Sequence, residues 1–334
     1  MTTSDLAKNS PSAPEPHAVP DATELEGEAR IQGRTPFQLS WERLRRDRVA
    51  MISLGVIVLI IVLAIAAPLI AALIGHGPND QYRQEGLTAA GLPKGPTGQF
   101  IFGTDDLGRD LFVRILYGAR ISLLVGVLAT LLAIVLGVVV GIMAGYLGGF
   151  VDTVLARLID VVLSIPFLLA AIAIVSISGP SLTVTVVVIA FFSWSSVARI
   201  VRGQVLSIRE REYVEAARSL GGSDWRIMFV DILPNVIAPV IVYATLLIPV
   251  SIVSESTLSF LGLGVPAPTA TWGGMLDGAT NYYRVAWWYL LFPGLALLIT
   301  TLAFNLFGDG VRDAFDPRSD RLFATESEKE DEDA

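Results

Sequence analysis

Cysteine is absent from this 334-residue chain, and histidine occurs only as His17 and His76. Without thiols there is no disulfide, no thiolate nucleophile and no thiolate metal site. His17 lies in a Pro- and Ser-rich stretch, so a Ser–His pair or a His-rich metal centre has almost nothing to be built from. Neither G-x-x-x-x-G-K-S/T nor H-E-x-x-H occurs, so ATP is not held by a P-loop and no zincin site exists. Charge is scarce as well: 17% of residues are charged against 53% hydrophobic, too little polar surface for a soluble domain. The net charge of −8 belongs to the ends, because residues 1–29 and 326–334 hold twelve acids and two lysines, leaving 22 basic against 20 acidic residues between them. These acidic tails suit solubility better than a basic ligand, and no nucleic-acid surface is expected. Transport, channel function or scaffolding remain.

What is present is a set of long apolar runs. Val49–Ile74 holds 26 residues without a charge, where about 20 suffice to span hydrocarbon, and Pro68 stands near its far end. Five further runs, about 121–147, 151–178, 182–198, 236–263 and 285–308, predict an all-α membrane protein with six transmembrane helices. Six spans place both termini on one side. Sixteen Arg and Lys flank the spans on the side of the termini and the 199–235 loop, against six on the other, so the termini and that loop are expected in the cytoplasm. The expected organisation is a disordered tail over 1–35, a basic flank and first span over 36–74, and an extracytoplasmic loop over 75–119. A five-helix core follows over 120–310, with an acidic tail over 311–334. The third run is atypical because Asp152, Arg157 and Asp160 lie in its first half; a pair Arg157–Asp160 facing other helices is the plain reading. Trp194 is either an interfacial anchor or a pore-lining side chain. The small residues of GVVVGIMAG, 137–145, allow close helix packing.

Within the loop 204–235, the stretch Glu210–Asn235 reads as two short amphipathic helices. Tyr213, Ala216, Ala217 and Leu220 fall on one small-residue face, and Trp225, Met228, Phe229 and Ile232 repeat the spacing with bulk. Gly221-Gly222 ends the first helix, and Ser223 or Asp224 caps the second. Glu215 is within reach of Arg211 and Arg218, so it is paired locally or meets an arginine of a partner. The pair either lies on the membrane surface or binds another protein.

Glu215-Ala216-Ala217, then Gly221, then Leu233-Pro234 resembles the EAA motif of ABC importer permeases. The longer run RGQVLSIREREYVEAARSLGGSDWRIMFVDILPNVIAP is similar to the dipeptide/oligopeptide (and nickel) group. One departure is visible, Asp231, where that group commonly carries His. FGTDDLGRDLFVRILYGARISL (102–123) resembles the C-type subunit's signature, ESTLSFLGLGVPAPTATWGGML (255–276) its E-S-x-L-S-F-L-G-L-G segment, and GDGVRDAFDPR (308–318) its closing segment. The resemblance covers about 36–318. It implies a type I ABC importer permease fold whose cytoplasmic coupling helices dock on ATPase subunits. It also implies a second homologous permease, two cytoplasmic ABC ATPases holding ATP and Mg²⁺, an extracytoplasmic peptide-binding protein and a bacterial plasma membrane. The chain itself would carry no cofactor or metal and would be no enzyme. The ATPase-coupling residues implied are Tyr213, Glu215, Ala216, Ala217, Arg218, Gly221, Trp225, Leu233 and Pro234. The cargo would be di- or oligopeptides, with nickel chelates or glutathione as alternatives. Loops 75–119 and 264–284 would meet the binding protein.

Outside the loop, Asp105, Asp106 and Asp110 lack EF-hand spacing, since Leu116 stands where a bidentate Glu is needed. Thr104 or Asp105 is expected to cap a helix with Leu107, Leu111 and Ile115 at the membrane interface, while Arg109, Asp110 and Arg114 pair with one another or with the partner subunit. Glu255, deep in an apolar run, is functional or holds its helix to a neighbour. Asp309, Arg312, Asp313 and Asp316 suggest a salt-bridged end. Asp160 and Glu255 would also serve a proton-coupled secondary carrier, the rival from another class.

Overall fold

The computed structural model describes residues 36–316, and the chain divides into two units, Met1–Leu39 and Ser40–Ala334. The architecture below is that of the second unit. The tails expected over 1–35 and beyond Asp316, including Arg318, lie outside the described residues.

After α1 (Pro36–Arg46), Asp47 caps α2 (Arg48–Ile74) by accepting from the Val49 and Ala50 amides at 2.8 and 3.2 Å. Gly75 closes α2 at φ 79°, a conformation favouring glycine. A loop carrying the single turn α3 (Arg83–Gly86) leads to α4 (Leu111–Leu147). At 37 residues, about 55 Å long, α4 starts ten residues before the expected run. Its cap is Asp110, accepting from the Phe112 and Val113 amides, and not Thr104 or Asp105. Leu111 and Ile115 are buried inside the fold and not at a membrane interface, while Leu107 sits in the preceding turn. Because the loop packs over the first turns of α4, no apolar pattern marks where the helix begins.

The third span is not one helix. α5 (Gly149–Ser164) and α6 (Phe167–Ser178) meet at an 85° bend. Pro166 has no amide hydrogen and pushes Ile165 to ψ 124°, out of the helical region. Asp152 and Asp160 reach arginines of the next long helix, and Arg157, itself exposed, keeps the expected contact with Asp160 at 3.5 Å.

α7 (Leu182–Ile208) runs parallel to α4 in the largest helix–helix interface of the chain. Gly137, Gly141 and Gly145 face Val197, Val201 and Val205, so close that an added Cβ would lie 2.4–2.7 Å from the opposing valine Cβ atoms. The small residues noted in the sequence therefore form a seam, as expected.

α8 (Glu212–Ser219) follows, then Gly221 at φ 79°, then α9 (Asp224–Arg226), capped by Ser223 Oγ. A π-helical turn, Ile227–Ile232, joins α9 directly to α10 (Leu233–Phe260). The second loop helix is thus the first part of a 37-residue span, Asp224–Phe260, and not a short separate element. The wider π turn, with the Leu233 amide bonded to the Met228 carbonyl, lets the chain pass Pro234 without a break.

α11 (Trp272–Ala279) packs back on the bundle, its buried Trp272 donating to the Ile115 carbonyl at 3.1 Å. α12 (Trp287–Phe315) ends against α2, where Gly310 meets Ala50 and Val311 and Ala314 pack with Leu44. Asp309, Arg312 and Asp313 are exposed and form no ion pair among the described residues, while the Asp316 carbonyl accepts from Arg43 Nη1 at 3.3 Å, so apolar and polar contacts together hold this end. Five helices are long and apolar enough to cross a membrane, six with the bent pair counted as one span.

Candidate functional site

The loop between α7 and α10 presents a rigid mount and a bare outer face. Val214 and Ile227 are fully buried, and with Met228 and Ile232 they pack into a cluster with α4 and α7. Val214 and Ala217 therefore form the attached side of α8, whereas Tyr213, Ala216 and Leu220 point outward, Leu220 being 89% exposed. The expected apolar face of four residues is split: Ala217 seats the helix, and the other three are free. Trp225 divides from its own set in the same way. It is 69% exposed and its ring lies tilted at 38° to that of Phe229, 4.3 Å between centroids, while Met228 and Ile232 are core. Leu233 is half-buried, and Pro234 is exposed at the first turn of α10.

Glu215 is exposed and makes no ion pair among the described residues, so the local pairing with Arg211 or Arg218 is not formed. Arg218 turns to Tyr146 instead. Its guanidinium lies 4.9 Å from the ring centroid and its Nε is 3.4 Å from the phenol oxygen. That phenol donates to Asp224 Oδ1 at 3.1 Å. Tyr146 is the next residue after Gly145 of the seam, whose carbonyl accepts from Arg209 Nη1 at 3.1 Å. Motion at α8 or α9 is thus tied through Tyr146 to the α4–α7 interface. The sequence reading missed Tyr146, although an aromatic at the end of a glycine-rich span is a recognisable signal. Asp231 leaves its backbone carbonyl to Asn235 at 2.7 Å, and its carboxylate takes no partner among the described residues.

The remaining singled-out residues lie elsewhere and are not brought together. Trp194 is buried in the α4–α7 cluster, neither an interfacial anchor nor a pore wall. Arg109 and Asp110 pair with other groups than expected. Arg109 Nε meets Asp105 at 2.6 Å, Arg114 Nε lies 3.3 Å from the same carboxylate without hydrogen-bond alignment, and Asp110 meets His76 Nδ1 at 2.7 Å. The carboxylates of Asp105 and Asp110 are engaged by cationic or imidazole partners, which leaves no acidic cage for a hard cation. His76, buried against Tyr82 and Phe100, was the second residue missed, since a lone imidazole after a helix end carries no sequence signal.

Glu255 is fully buried in α10 and surrounded by hydroxyls. Ser259 donates to Oε1 at 2.7 Å, Ser122 of α4 to Oε2 at 2.9 Å, and Ser256 to Oε2 at 3.4 Å. This arrangement ties α10 to α4. Glu255→Gln should keep near wild-type uptake, because a serine hydroxyl can turn to accept from the new amide. Glu255→Ala leaves buried hydroxyls unpaired and should cost about 1–3 kcal/mol, read as a lower thermal midpoint in detergent. Loss of uptake in Glu255→Gln at unchanged expression would show that the charge itself matters to transport.

A bundle of crossing helices with an exposed loop keyed to its central seam defines a multi-pass membrane transport subunit. Residues 137–321 match the family of binding-protein-dependent transport system inner membrane components, and residues 35–90 match the N-terminal transmembrane domain of oligopeptide transport permease C. The chain is 44% identical over 284 residues to the dipeptide transport system permease protein DppC of Escherichia coli (strain K12), covering 85% of this chain and 94% of that one. It is 42% identical over 282 residues to the protein of the same name from Bacillus subtilis (strain 168), covering 84% and 85%. The glutathione transport system permease protein GsiD of Shigella dysenteriae is 41% identical over 287 residues, covering 86% and 92%. In fold, the chain is similar to an inward-facing structure of the MetNI methionine ABC transporter, with a TM-score of 0.51 at 17% identity over 60% of this chain and 96% of that one. The chain belongs to the ABC importer permeases of the dipeptide/oligopeptide family, as a C-type subunit. A proton-coupled carrier is thereby displaced as a reading.

Proposed function

We propose that this chain is one of two related permeases of an ATP-driven importer for di- and oligopeptides, and that Tyr213, Ala216, Leu220 and Trp225 form its docking face for a cytoplasmic ATPase. The observation that carries this is the split of both amphipathic faces: one half of each is core, and the other half is bare on a loop latched to the seam. Ala216 permits close approach of a partner, Glu215 offers it an unpaired carboxylate, and Gly221 turns the chain between α8 and α9. The names of the relatives support peptide cargo, and glutathione, carried by one of them, is itself a short peptide. The excess of arginine beside the spans favours cytoplasmic termini and a cytoplasmic α8–α9 loop. In this reading ATP and Mg²⁺ belong to the ATPases, a binding protein delivers cargo to the opposite face, and this chain makes and breaks no bonds.

Gly221→Leu tests the docking role. No atom lies within 4 Å of an added Cβ, so the cost is confined to φ 79°, about 1–2 kcal/mol for a residue with a side chain. The variant should insert normally but redirect α8 and lose the ATPases on co-purification. Normal co-purification would overturn the docking role.

A further inference from the structure

Two helices carry polar side chains in register where a span should be apolar. On α7, Ser193, Ser196, Arg199 and Arg202 recur at every third residue; on α5, Thr153, Arg157, Asp160 and Ser164 recur at three- and four-residue steps. The α5 set therefore occupies one side of its helix, and the α7 set winds across half of its circumference. The stripes meet, with Arg199 Nη2 at 2.8 Å from Asp160 and Arg202 Nη2 at 2.9 Å from Asp152. They are also open: the side chains of Arg157, Arg199 and Asp160 are 80%, 58% and 49% exposed. Charges at that exposure are costly against hydrocarbon and stable against water. Where Pro166 breaks the span, an open cavity of about 620 Å³ adjoins the stripe, walled by Phe167, Phe192 and Tyr243 and reached by the hydroxyl-bearing Ser193, Ser196 and Ser254, with no charged side chain. A smaller cavity of about 330 Å³ lies between Asp152, Arg157, Asp160 and Arg202.

We propose that this α5–α7 stripe is the chain's wall of the aqueous translocation path, and that Arg157, with Arg199, receives the terminal carboxylate of the carried peptide there. The proposal rests on the importer reading above and deepens it. The stripe holds three guanidiniums against two carboxylates. Asp152 is fully engaged by Arg202 through two bonds, and Asp160 by Arg199. Arg157 keeps only a 3.5 Å contact to Asp160, so its guanidinium is the spare positive charge, and a planar carboxylate matches its geometry. The upper cavity suits the uncharged remainder of a peptide: hydroxyls bond amides whatever the side chains, and the aromatic walls accept apolar ones.

The test uses the complete complex of permeases, ATPases and binding protein in proteoliposomes. Because this chain has no cysteine, Ser196→Cys and Arg157→Cys each supply its only thiol. Both should react with a charged, membrane-impermeant thiosulfonate at least about tenfold faster than Leu131→Cys, an apolar position mid-way along α4 that is 56% exposed. Reaction no faster than at Leu131 would overturn the wall and mean that the stripe is sealed against the second permease. Arg157→Gln should then lower uptake of a free-acid peptide about tenfold while sparing the C-terminal amide of the same peptide, for a pair that both enter through the unaltered complex. An unchanged acid-to-amide ratio overturns the carboxylate assignment. Failure of the unaltered complex to import any peptide overturns the importer reading instead, while thiol accessibility still decides the wall.

Discussion

Gly141→Leu should abolish accumulation of folded protein, with the loss read as the yield of monodisperse protein after solubilisation and as the thermal midpoint of what remains. The Cβ alone would stand 2.7 Å from both the Ala198 carbonyl oxygen and the Val201 Cβ, and neither is the end of a flexible side chain. Overpacking an ordinary core costs about 1–3 kcal/mol because neighbours can shift. Here Gly137 and Gly145 hold the same close approach one turn away on either side, so relief at 141 requires separating α7 from α4 along the whole seam. That interface also carries Tyr146 and the mount of α8, so the docking face would be lost with it. Gly55→Leu on α2 is the control, since nothing lies within 4 Å of its added Cβ and the same change in side chain should leave the midpoint unmoved. A wild-type midpoint in Gly141→Leu would mean that the seam is not packed as described.

The parts of this structure legible beforehand were those governed by composition and local spacing. Val49–Ile74 was readable because an uncharged apolar run of that length has one physical solution in a bilayer, and the helix Arg48–Ile74 matches it to within a residue. The glycines at 137, 141 and 145 announced a close approach, though not the partner. Less legible were features in which tertiary contact replaces local preference. The start of α4 is hidden because a folded loop covers its first turns, so Asp110, and not the earlier Thr104 or Asp105, ends up as the cap. The continuity of Asp224–Phe260 is hidden because Pro234 reads as a break, and only the π turn before it removes the conflict. For the loop, amphipathic spacing correctly identified two apolar faces but could not divide them: that Ala217 and Met228 are core while Ala216 and Trp225 are bare depends on which side α4 and α7 offer. The ionic positions were legible only in part: the i, i+3 pair Arg157–Asp160 forms, but the closer partner of Asp160, Arg199, and the partner of Asp152, Arg202, come from a distant helix and are chosen by three-dimensional proximity.

Asp105→Ala should unfold the loop between α2 and α4 while leaving the opposite end of α4 intact. Asp105 is fully buried and accepts from the Leu107 amide at 3.0 Å, the Arg109 amide at 2.9 Å and Arg109 Nε at 2.6 Å. Arg114, also buried, lies 3.3 Å away and donates through Nη1 to the Pro78 carbonyl and Asn79 Oδ1 at 2.8 and 3.2 Å. Removing the carboxylate leaves two buried guanidiniums with only Asp106, 3.9 Å from Arg109 Nη2, as a counter-charge, and breaking a comparable buried pair costs about 3–5 kcal/mol. Asp105→Asn should be milder, because its amide oxygen can still accept from the two backbone amides. The damage should stay local. The loop is pinned to the first turn of α4 by Asp105, Arg114 and the His76–Asp110 pair, whereas the docking face sits at the other end of that helix, about 55 Å away at 1.5 Å per residue. Protease added on the side of this loop should therefore cut between residues 77 and 110 in Asp105→Ala and spare the unaltered protein. Binding-protein-dependent uptake should fall with it, yet the ATPases should still co-purify. A loop as resistant as in the unaltered protein would show that Asp105 does not hold it, and loss of the ATPases would show that the two ends of α4 are not independent.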